Sequence, residues 1–554
     1  MKTKIILFLI ILLGVAFRVY GINFDETCCQ HPDERAIVMF ALPLEFPTNL
    51  NPHFFAYGSF PLYLLKGVSV AAGLTNPKLA EYGQINLVGR GISVVAEIIT
   101  MFLIFMIARL LFSARAGLLS SFIYALSVLP VQYSHFFTSD TLLTMFTTLT
   151  LFMILRFFQH PGIKNATFVG ISFGLSLATK ISAAPLLIAI SASLAVDFIF
   201  IFLKSPHKIK AWLPHIPAFV KKLITEGVVI LVLTLAVFTF AQPYAIIDFS
   251  EFTKQNLLQS QMTHNPYIFP YTMQYVTKIP YVYESVNIFR FGLGPFASIL
   301  SLGGFLLILK NFIKMQTSKK SEIVILLTFF FLYAAVVGNF AVGFMRYLLP
   351  IYPIFAILAG FFLNSILDRI KIMENKVIRT GVNLVILLLI IIWPISFISV
   401  YSRTNTRIEA SDWIRKNIPK GSTLAVEHWD DRLPMTDSSG YDFAELALYE
   451  QPDNENKWNI VAGQLSQSDY IIIASNRLYV PLQKLDDCQK FIKCYPLTSR
   501  YYKDLFSEKL GFEKIKEFSS YPTVPVLGWK IIDDAADESF TVYDHPKILI
   551  FKKK

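Results

Sequence analysis

The sequence predicts an α-helical polytopic membrane protein with a soluble α/β domain at its C-terminus. Of the 554 residues, 54% are hydrophobic and only 16% are charged, and the mean hydropathy is +0.51. Long apolar runs recur from the first residues to about residue 400 and then stop. Lipid must therefore be the solvent for most of the chain, which excludes a soluble globular enzyme.

About eleven apolar stretches reach the length of roughly 17 to 25 residues that a bilayer core requires of a helix. The predicted spans lie near residues 5–20, 84–108, 116–133, 140–157, 166–180, 182–203, 223–245, 291–309, 322–340, 348–367 and 380–400.

The N-terminus has the basic and apolar regions of a secretory signal. Residues 1–4 read MKTK, an apolar run follows, and Gly14-x-Ala16 is a weak cleavage signal. Arg18 follows at once, and the rest of the chain is rich in further apolar spans. We therefore expect an uncleaved first span.

Lys and Arg residues cluster in short loops between the apolar runs. If Lys2 and Lys4 are cytoplasmic, alternation of the spans places three basic segments inside, at residues 204–222, 310–320 and 368–379. This positive-inside pattern explains the net charge of +11 without a nucleic-acid partner. It predicts a multi-pass membrane protein with a cytoplasmic N-terminus.

Two loops then lie outside, at residues 21–83 and 246–290. Within the first, the apolar run 60–72 is short and carries Lys66. A span there would reverse the side of every later loop, so we expect an interfacial or re-entrant segment.

The composition changes after residue 400, so residues 1–400 are expected to form the membrane domain and 401–554 an extracytoplasmic α/β domain. Residues 408–417 have helical spacing and end before Pro419-Lys420-Gly421, and residues 422–427 alternate as a strand does. Residues 469–474 predict a buried strand, and residues 540–551 predict late strands.

The four cysteines form neither a disulfide framework nor a metal-binding spacing. Cys28 and Cys29 are adjacent, and we do not expect them to bridge each other. Cys488 and Cys494 can pair if their segment lies outside the cytoplasm, and free or buried thiols are the alternative.

The string His31-Pro32-Asp33-Glu34-Arg35 follows the first span. Two adjacent carboxylates beside apolar helix ends are costly to hold unless they meet a cation, a metal or a substrate. A solvated loop is the alternative interpretation of this string.

Further polar residues lie at or inside the predicted spans. Asp140 opens the fourth span, and a helix cap is its alternative role. Lys180 and Arg346 lie at span junctions on the outer side, where a lysine can also simply snorkel. Arg90 lies inside the second span with Glu97 two turns below, and an ion pair between these two is its alternative role.

These charged residues come from separate spans, yet the threading places them on one face of the membrane. Random snorkelling would distribute them over both faces. Carboxylates suit the deprotonation of an acceptor hydroxyl, and Arg and Lys suit a leaving phosphate. The pattern therefore predicts a catalytic site at the outer face.

The order of several short motifs resembles a known family. The motifs are His31-Pro32-Asp33-Glu34, Asn51-Pro52-His53-Phe54-Phe55-Ala56-Tyr57, Phe60-Pro61-Leu62-Tyr63, Thr138-Ser139-Asp140, Ala178-Thr179-Lys180 and Arg346-Tyr347-Leu348-Leu349-Pro350. Across essentially the whole chain, the sequence resembles the GT-C membrane glycosyltransferases of the protein O-mannosyltransferase and aminoarabinose transferase type. Residues 537–546 are similar to the ending of many bacterial members. This resemblance, with the absence of retention signals, implies a location in the plasma or inner membrane.

The resemblance implies an inverting transferase that takes a monosaccharide from a polyprenyl-phosphate donor. It implies that Asp33 is the general base and that Glu34 helps to orient it. Lys180 and Arg346 would hold the donor phosphate, with help from Arg90 or His135. The remaining pocket residues implied are Asp140, Tyr347 and His31. Asp140 could also join a metal shell, because some relatives bind a divalent ion and others work without one.

The C-terminal part does not resemble the β-trefoil of eukaryotic protein mannosyltransferases, which leaves protein, lipid and glycan acceptors open. The main alternative function is a multi-pass transporter or flippase. Transporters usually place their sites near the midplane and show internal repeats, and this sequence shows neither feature.

Overall fold

The computed structural model describes residues 2–26, 29–204 and 209–554. Each of the eleven predicted spans falls on a helical segment of these residues. The segments are Lys2–Val19, Ile85–Leu111, Ala114–Ala125 with Val128–Ser134, Ser139–Gln159, Ile163–Thr179, Leu186–Lys204, Val228–Ala241, Pro295–Phe312, Thr317–Gly338, Tyr352–Lys371 and Lys376–Ile398. Cys28 and part of the basic segment 204–222 lie outside the described residues.

By length and composition, eight helices in the described part of the chain can cross a membrane, or up to nine if a bent pair counts as one span. The bent pair is Ala114–Ala125 with Val128–Ser134, whose axes meet at 59°. Two further segments, Lys2–Val19 and Ile163–Thr179, have 18 and 17 residues. The apolar helices make this a multi-pass membrane protein.

Small residues let the helices of the bundle approach closely. A Cβ atom added at Gly170 would lie 2.8 Å from the carbonyl oxygen of Ile230, and one at Gly174 would lie 2.8 Å from that of Thr234. Backbone contact of this kind is how helices associate in lipid, where apolar burial alone gives little preference. Helices Ile163–Thr179 and Val228–Ala241 are packed together in this way.

Shorter helices cover the end of the bundle that carries the C-terminal domain. They include Pro32–Ala41, Ser59–Gly73, Phe249–His264 and Val282–Asn287, with a 3₁₀ turn at Pro270–Tyr275. Helix Ser59–Gly73 coincides with the predicted interfacial run 60–72, and its 15 residues are fewer than a spanning helix needs.

The C-terminal domain contains a five-stranded mixed sheet. Its strands are β1 (Thr423–Glu427), β2 (Asp442–Leu446), β3 (Tyr470–Ile473), β4 (Phe512–Phe518) and β5 (Ile548–Lys553). Their order is β2-β1-β3-β5-β4, with β1 parallel to β2 and β3, and β5 antiparallel to β3 and β4. Helices Thr406–Asn417, Glu455–Gln467 and Pro496–Phe506 complete the domain, which has one apolar core on each face of the sheet.

The late strand prediction for residues 540–551 is only half right. Strand β5 begins at Ile548, whereas Glu538–Thr541 forms a helical turn that Asp537 caps by accepting a hydrogen bond from the Ser539 N–H at 2.9 Å. Phe540 is buried in the core of the helix bundle, with its ring 5.3 Å from that of Phe397. The apolar residues at the start of this segment therefore pack against helices and do not pair as a strand.

Cys488 and Cys494 form a disulfide. Cys29 is buried and free. The pairing alternative for Cys488 and Cys494 thus agrees with the structure, while the relation between Cys28 and Cys29 lies outside the described residues.

A buried charged cluster fixes the chain's last segment to the bundle. His545 lies between Asp544 and Asp533. The Nε2 atom of His545 is 2.9 Å from the Asp533 carboxylate. Asp544 also accepts hydrogen bonds from Tyr401 at 2.7 Å and from Gln132 at 3.0 Å. Burial lowers the pKa of His545, but the two carboxylates outweigh it and raise the pKa to about 10.

This cluster predicts a pH-dependent stability. The unfolded pKa of His is about 6.5, so the stabilisation by protonated His545 is complete below that pH and is lost as the pH rises towards 10. We expect the thermal unfolding midpoint of the detergent-solubilised protein to fall between pH 7 and 10. In His545→Gln this fall should be smaller, and an equal fall in both proteins would contradict the prediction.

Candidate active site

A cavity of about 610 Å³ lies between the helix bundle and the C-terminal domain. The bundle and its outer loops contribute Asp33, Tyr57, Asp140, Lys180, Arg346 and Tyr347 to its wall. Five of these six residues were predicted as site residues from the sequence. They come from five separate segments, since only Arg346 and Tyr347 are neighbours in sequence, so the tertiary fold brings them together.

Two carboxylates and two cations alternate in this wall. Arg346 is 2.9 Å from Asp33 and 3.7 Å from Asp140, while Lys180 is 2.8 Å from Asp140. All four side chains are largely withdrawn from solvent. Charges held in such an environment need compensation, and here each carboxylate is compensated by a neighbouring cation.

Local sequence explains how Asp33 is placed. His31 caps helix Pro32–Ala41 by accepting a hydrogen bond from the Asp33 N–H at 3.2 Å, and Pro32 occupies the first helical position. Asp33 and Glu34 then lie in the first turn, where the helix dipole favours negative charge. The string His31-Pro32-Asp33-Glu34 is therefore a helix start, not a solvated loop.

Asp140 and Lys180 approach each other from two helix ends. Asp140 lies in the first turn of Ser139–Gln159, and Lys180 directly follows Ile163–Thr179. The cap residue of the first helix is Thr138, so the capping alternative for Asp140 is wrong. Lys180 is bound to Asp140 and does not simply snorkel.

Gly58 brings a further residue, Tyr57, into the site. The Gly58 N–H donates to the Thr179 carbonyl at 3.1 Å, and a Cβ atom at position 58 would lie 1.9 Å from the Ala178 carbonyl oxygen. Only glycine allows this approach. The Tyr57 ring consequently lies 5.6 Å from the Lys180 ammonium, and Tyr57 borders the same cavity as Asp33.

Arg346 is held by aromatic rings as well as by carboxylates. Its guanidinium lies 4.4 Å from the ring centre of Phe344 and 5.6 Å from that of Tyr347. Such contacts restrict an arginine that has lost most of its water. Tyr347 therefore borders the cavity beside the cation that it helps to position.

The electrostatic environment keeps Asp33 ionised. Burial raises the pKa of Asp33, but the charge of Arg346 and the hydrogen bond from Tyr57 are among the interactions that bring the pKa below its ordinary value. At neutral pH the side chain is therefore a carboxylate that can accept a proton.

Arg90 and Glu34 lie outside the cavity wall. Arg90 is fully buried, 2.7 Å from Glu34 and 2.8 Å from Asp25, and Glu97 is bound instead by Arg18 at 3.0 Å. The alternative role of Arg90 in a structural ion pair therefore agrees with the structure, but Glu97 as its partner is wrong. Because two carboxylates occupy its guanidinium, we do not assign Arg90 to the donor phosphate, and Glu34 anchors the Asp33 helix through Arg90.

The two predicted pocket histidines are also absent from the cavity wall. His135 is buried, and its ring nitrogens lie 2.9 Å from the carbonyl oxygens of Val131 and Tyr20. His31 is buried behind Asp33, with its ring 4.1 Å from that of Tyr543. Both rings support neighbouring segments instead of facing the cavity.

Several wall residues were not predicted from the sequence. The C-terminal domain contributes Trp429, Arg477 and Tyr543. Trp429 and Arg477 lie far along the chain from residue 33 and in no recognised motif, whereas Tyr543 lies within residues 537–546, where the family resemblance had given a signal. Tyr57, in contrast, lies within a quoted family motif, and Gly58 beside it indicates a close backbone approach.

The residues present do not fit a metal centre. Within residues 2–26, 29–204 and 209–554, no group of three or more His, Cys, Asp or Glu side chains could hold a metal ion. Asp33 and Asp140 are already compensated by Arg346 and Lys180, which a metal ion would have to displace. The chemistry below therefore uses only this chain's own side chains.

Comparison with known proteins gives one family match. Residues 82–240 match the family described as dolichyl-phosphate-mannose-protein mannosyltransferase, less than a third of the chain. No curated protein matches the chain in sequence.

Solved structures match over most of the chain. The apo oligosaccharyltransferase of Archaeoglobus fulgidus matches with a TM-score of 0.55 and 14% identity, covering 90% of this chain and 72% of its own. The same archaeal enzyme with an inhibitory peptide and a dolichol-phosphate gives a TM-score of 0.52 over the same shares at 14% identity. ArnT from Cupriavidus metallidurans in the apo state gives 0.46 at 12% identity, covering 85% of this chain and 94% of its own.

The protein has the GT-C fold. This confirms the fold that the family resemblance implied, and also the C-terminal α/β domain that the change in composition after residue 400 predicted, which is built around a small sheet. In this GT-C protein, the cavity lies where the helix bundle meets the C-terminal domain, with polar groups from both parts in its wall.

The buried Arg90 cluster predicts that Arg90 stabilises the fold far more than an exposed arginine does. Arg90→Ala removes the cation that compensates buried Glu34, which costs about 3 to 5 kcal/mol of stability. We expect a large fall in the thermal unfolding midpoint. Arg500→Ala, whose side chain is 79% exposed, is the control and should leave the midpoint nearly unchanged. Equal midpoints for the two variants would show that the cluster does not stabilise the fold.

Proposed function

We propose that this protein transfers a monosaccharide from a polyprenyl-phosphate donor to an acceptor hydroxyl at the extracytoplasmic face of a membrane. The observation that carries the proposal is the alternation of Asp33, Arg346, Asp140 and Lys180 in one cavity. The match of residues 82–240 to a dolichyl-phosphate-mannose-dependent family supports the same class of donor.

Asp33 is the proposed general base. Its low pKa keeps it ionised at neutral pH, and its carboxylate borders the cavity. As the acceptor oxygen attacks the anomeric carbon, Asp33 removes the proton of the attacking hydroxyl. This role requires Arg346 to release Asp33 in part, which raises the proton affinity of the carboxylate when the donor is bound.

Arg346 and Lys180 are the proposed phosphate ligands. When the bond between the anomeric carbon and the phosphate oxygen breaks, the polyprenyl phosphate leaves with additional negative charge. A guanidinium and an ammonium in a water-poor cavity stabilise such a charge strongly. Asp140 holds both cations near the phosphate position before the donor arrives.

Inversion at the anomeric carbon results when the acceptor oxygen displaces the polyprenyl phosphate in a single step. Asp140 contacts both proposed phosphate ligands, whereas Asp33 contacts Arg346 alone, so only Asp33 is proposed to take part in the reaction, as a base. A single attack by the acceptor on the face opposite the phosphate needs no covalent intermediate. We therefore propose an inverting transferase.

A donor with a lipid tail is consistent with a site at the extracytoplasmic interface of the membrane. A polyprenyl phosphate presents its head group at the membrane interface, and the basic loops 310–320 and 368–379 favour a cytoplasmic location for the opposite end of the bundle. On this threading, residues 401–554 form an extracytoplasmic domain and residues 1–400 the membrane domain.

The proposal predicts that Asp33→Asn abolishes sugar transfer, because the amide cannot accept the acceptor proton. Purified full-length protein would be assayed with a panel of polyprenyl-phosphate sugars and nucleotide sugars against a broad panel of acceptors. We expect transfer only from lipid-linked donors, and a loss of at least about a hundredfold in Asp33→Asn.

The control is Asp442→Asn, which makes the same change at an exposed position of β2. It should keep full activity. Normal turnover by Asp33→Asn would remove Asp33 from the role of base, and transfer from nucleotide sugars alone would overturn the proposed donor class.

A further inference from the structure

The C-terminal domain places a tryptophan in the wall of the catalytic cavity. Trp429 follows strand β1, lines the cavity and keeps 40% of its surface exposed. Its ring lies 6.5 Å from that of Tyr271, another residue of the cavity wall. A large indole left open inside a cavity indicates a contact surface for a ligand.

The backbone at Trp429 is held in an unfavourable conformation. Its φ angle is +79°, which is rare for a bulky residue. Such conformations persist only where the surroundings impose them, and they concentrate at functional sites. The backbone of Trp429 is therefore strained in the conformation that places its indole in the cavity wall.

The next two residues fasten this strained turn. Asp430 is 3.3 Å from the buried Arg407 and accepts a hydrogen bond from Ser475 at 2.5 Å. Asp431 is 3.2 Å from Arg35, which lies two residues after Asp33. The segment that carries Trp429 is thus bound directly to the helix that carries the proposed base.

Arg477 completes the support of Trp429. It donates to the Trp429 carbonyl at 3.4 Å, and its own charge is balanced by Glu538 at 2.6 Å. The charge of Arg477 is therefore compensated within the C-terminal domain, and Trp429 presents an uncharged aromatic surface in this part of the wall.

Uncharged hydrogen-bonding groups lie along another part of the wall. Helix Phe249–His264 contributes Asn256, Gln259, Ser260 and Thr263 to the same cavity. Neutral amides and hydroxyls suit a ligand rich in hydroxyl groups. An aromatic face suits the apolar C–H face of a sugar ring, because it combines a large contact area with little loss of flexibility.

We propose that an uncharged sugar ring stacks on the indole of Trp429. The inference rests on the proposed function and deepens it, because it assigns one wall of the same cavity to carbohydrate. Either the sugar of the lipid-linked donor or a sugar of the acceptor has this chemistry. Trp429 is then a specificity residue contributed by the C-terminal domain.

The test compares binding of probes with and without a sugar to full-length protein in lipid nanodiscs. The probes are undecaprenyl phosphate, undecaprenyl-phosphate mannose and a neutral mannose disaccharide. The proteins are the wild type, Trp429→Ala, Trp429→Phe and the control Trp529→Ala, whose indole is 68% exposed and absent from the cavity wall. Binding needs no turnover, so this result is independent of the Asp33→Asn assay.

We expect Trp429→Ala to weaken the binding of one sugar-bearing probe by about tenfold, as truncation of a well-placed Trp does. The binding of undecaprenyl phosphate should be unaffected. Trp429→Phe should lose less, and Trp529→Ala should lose nothing. A loss confined to undecaprenyl-phosphate mannose identifies the donor sugar as the stacked ring, and a loss with the disaccharide identifies the acceptor. Equal weakening of undecaprenyl phosphate, no effect on any probe, or no sugar-dependent binding by the wild type would each overturn the proposal.

Discussion

Compensation of buried charge is the constraint on which the cavity depends. Asp33, Asp140, Lys180 and Arg346 lie where water is scarce, so none of them is stable there alone. Each carboxylate contacts a cation, and Arg346 contacts both carboxylates. An arriving phosphate can replace a carboxylate as the partner of these cations. Each cation then still has a negative partner. The same arrangement that stabilises the empty cavity therefore prepares it for an anionic ligand.

A second set of buried charges supports the first. Glu34 follows Asp33 in the chain but points to Arg90, and this ion pair fixes the first turn of helix Pro32–Ala41. Arg35, the next residue, reaches Asp431 in the C-terminal domain. Three consecutive charged residues thus serve three purposes: one faces the cavity, one anchors the helix, and one binds the domain that closes the cavity.

The sequence predicted the helical segments well because a bilayer demands long apolar runs, which composition shows directly. It also predicted Asp33, Asp140, Lys180 and Arg346 in one wall, because the threading of the spans brings their ends to one face of the membrane. Tyr347 was added by the family resemblance. It could not assign partners among buried charges: it offered Glu97 as an alternative partner of Arg90, whereas Arg18 binds Glu97. Nor could it find Trp429 or Arg477, since their place in the wall depends on how a separately folded domain docks. The first half of the segment 540–551 was predicted wrongly for the same reason: Phe540, Val542 and Tyr543 pack against the bundle, and only the end of the segment forms a strand.

The exchange of partners at Arg346 is the central claim, and the most direct test is a cryo-electron microscopy structure of the full-length protein bound to undecaprenyl phosphate in nanodiscs. We predict the phosphate within hydrogen-bond distance, about 3 Å, of both Lys180 and Arg346, with the Asp33 carboxylate turned towards the space beside Trp429. A phosphate bound elsewhere, with the contact between Arg346 and Asp33 intact, would contradict this account of the site.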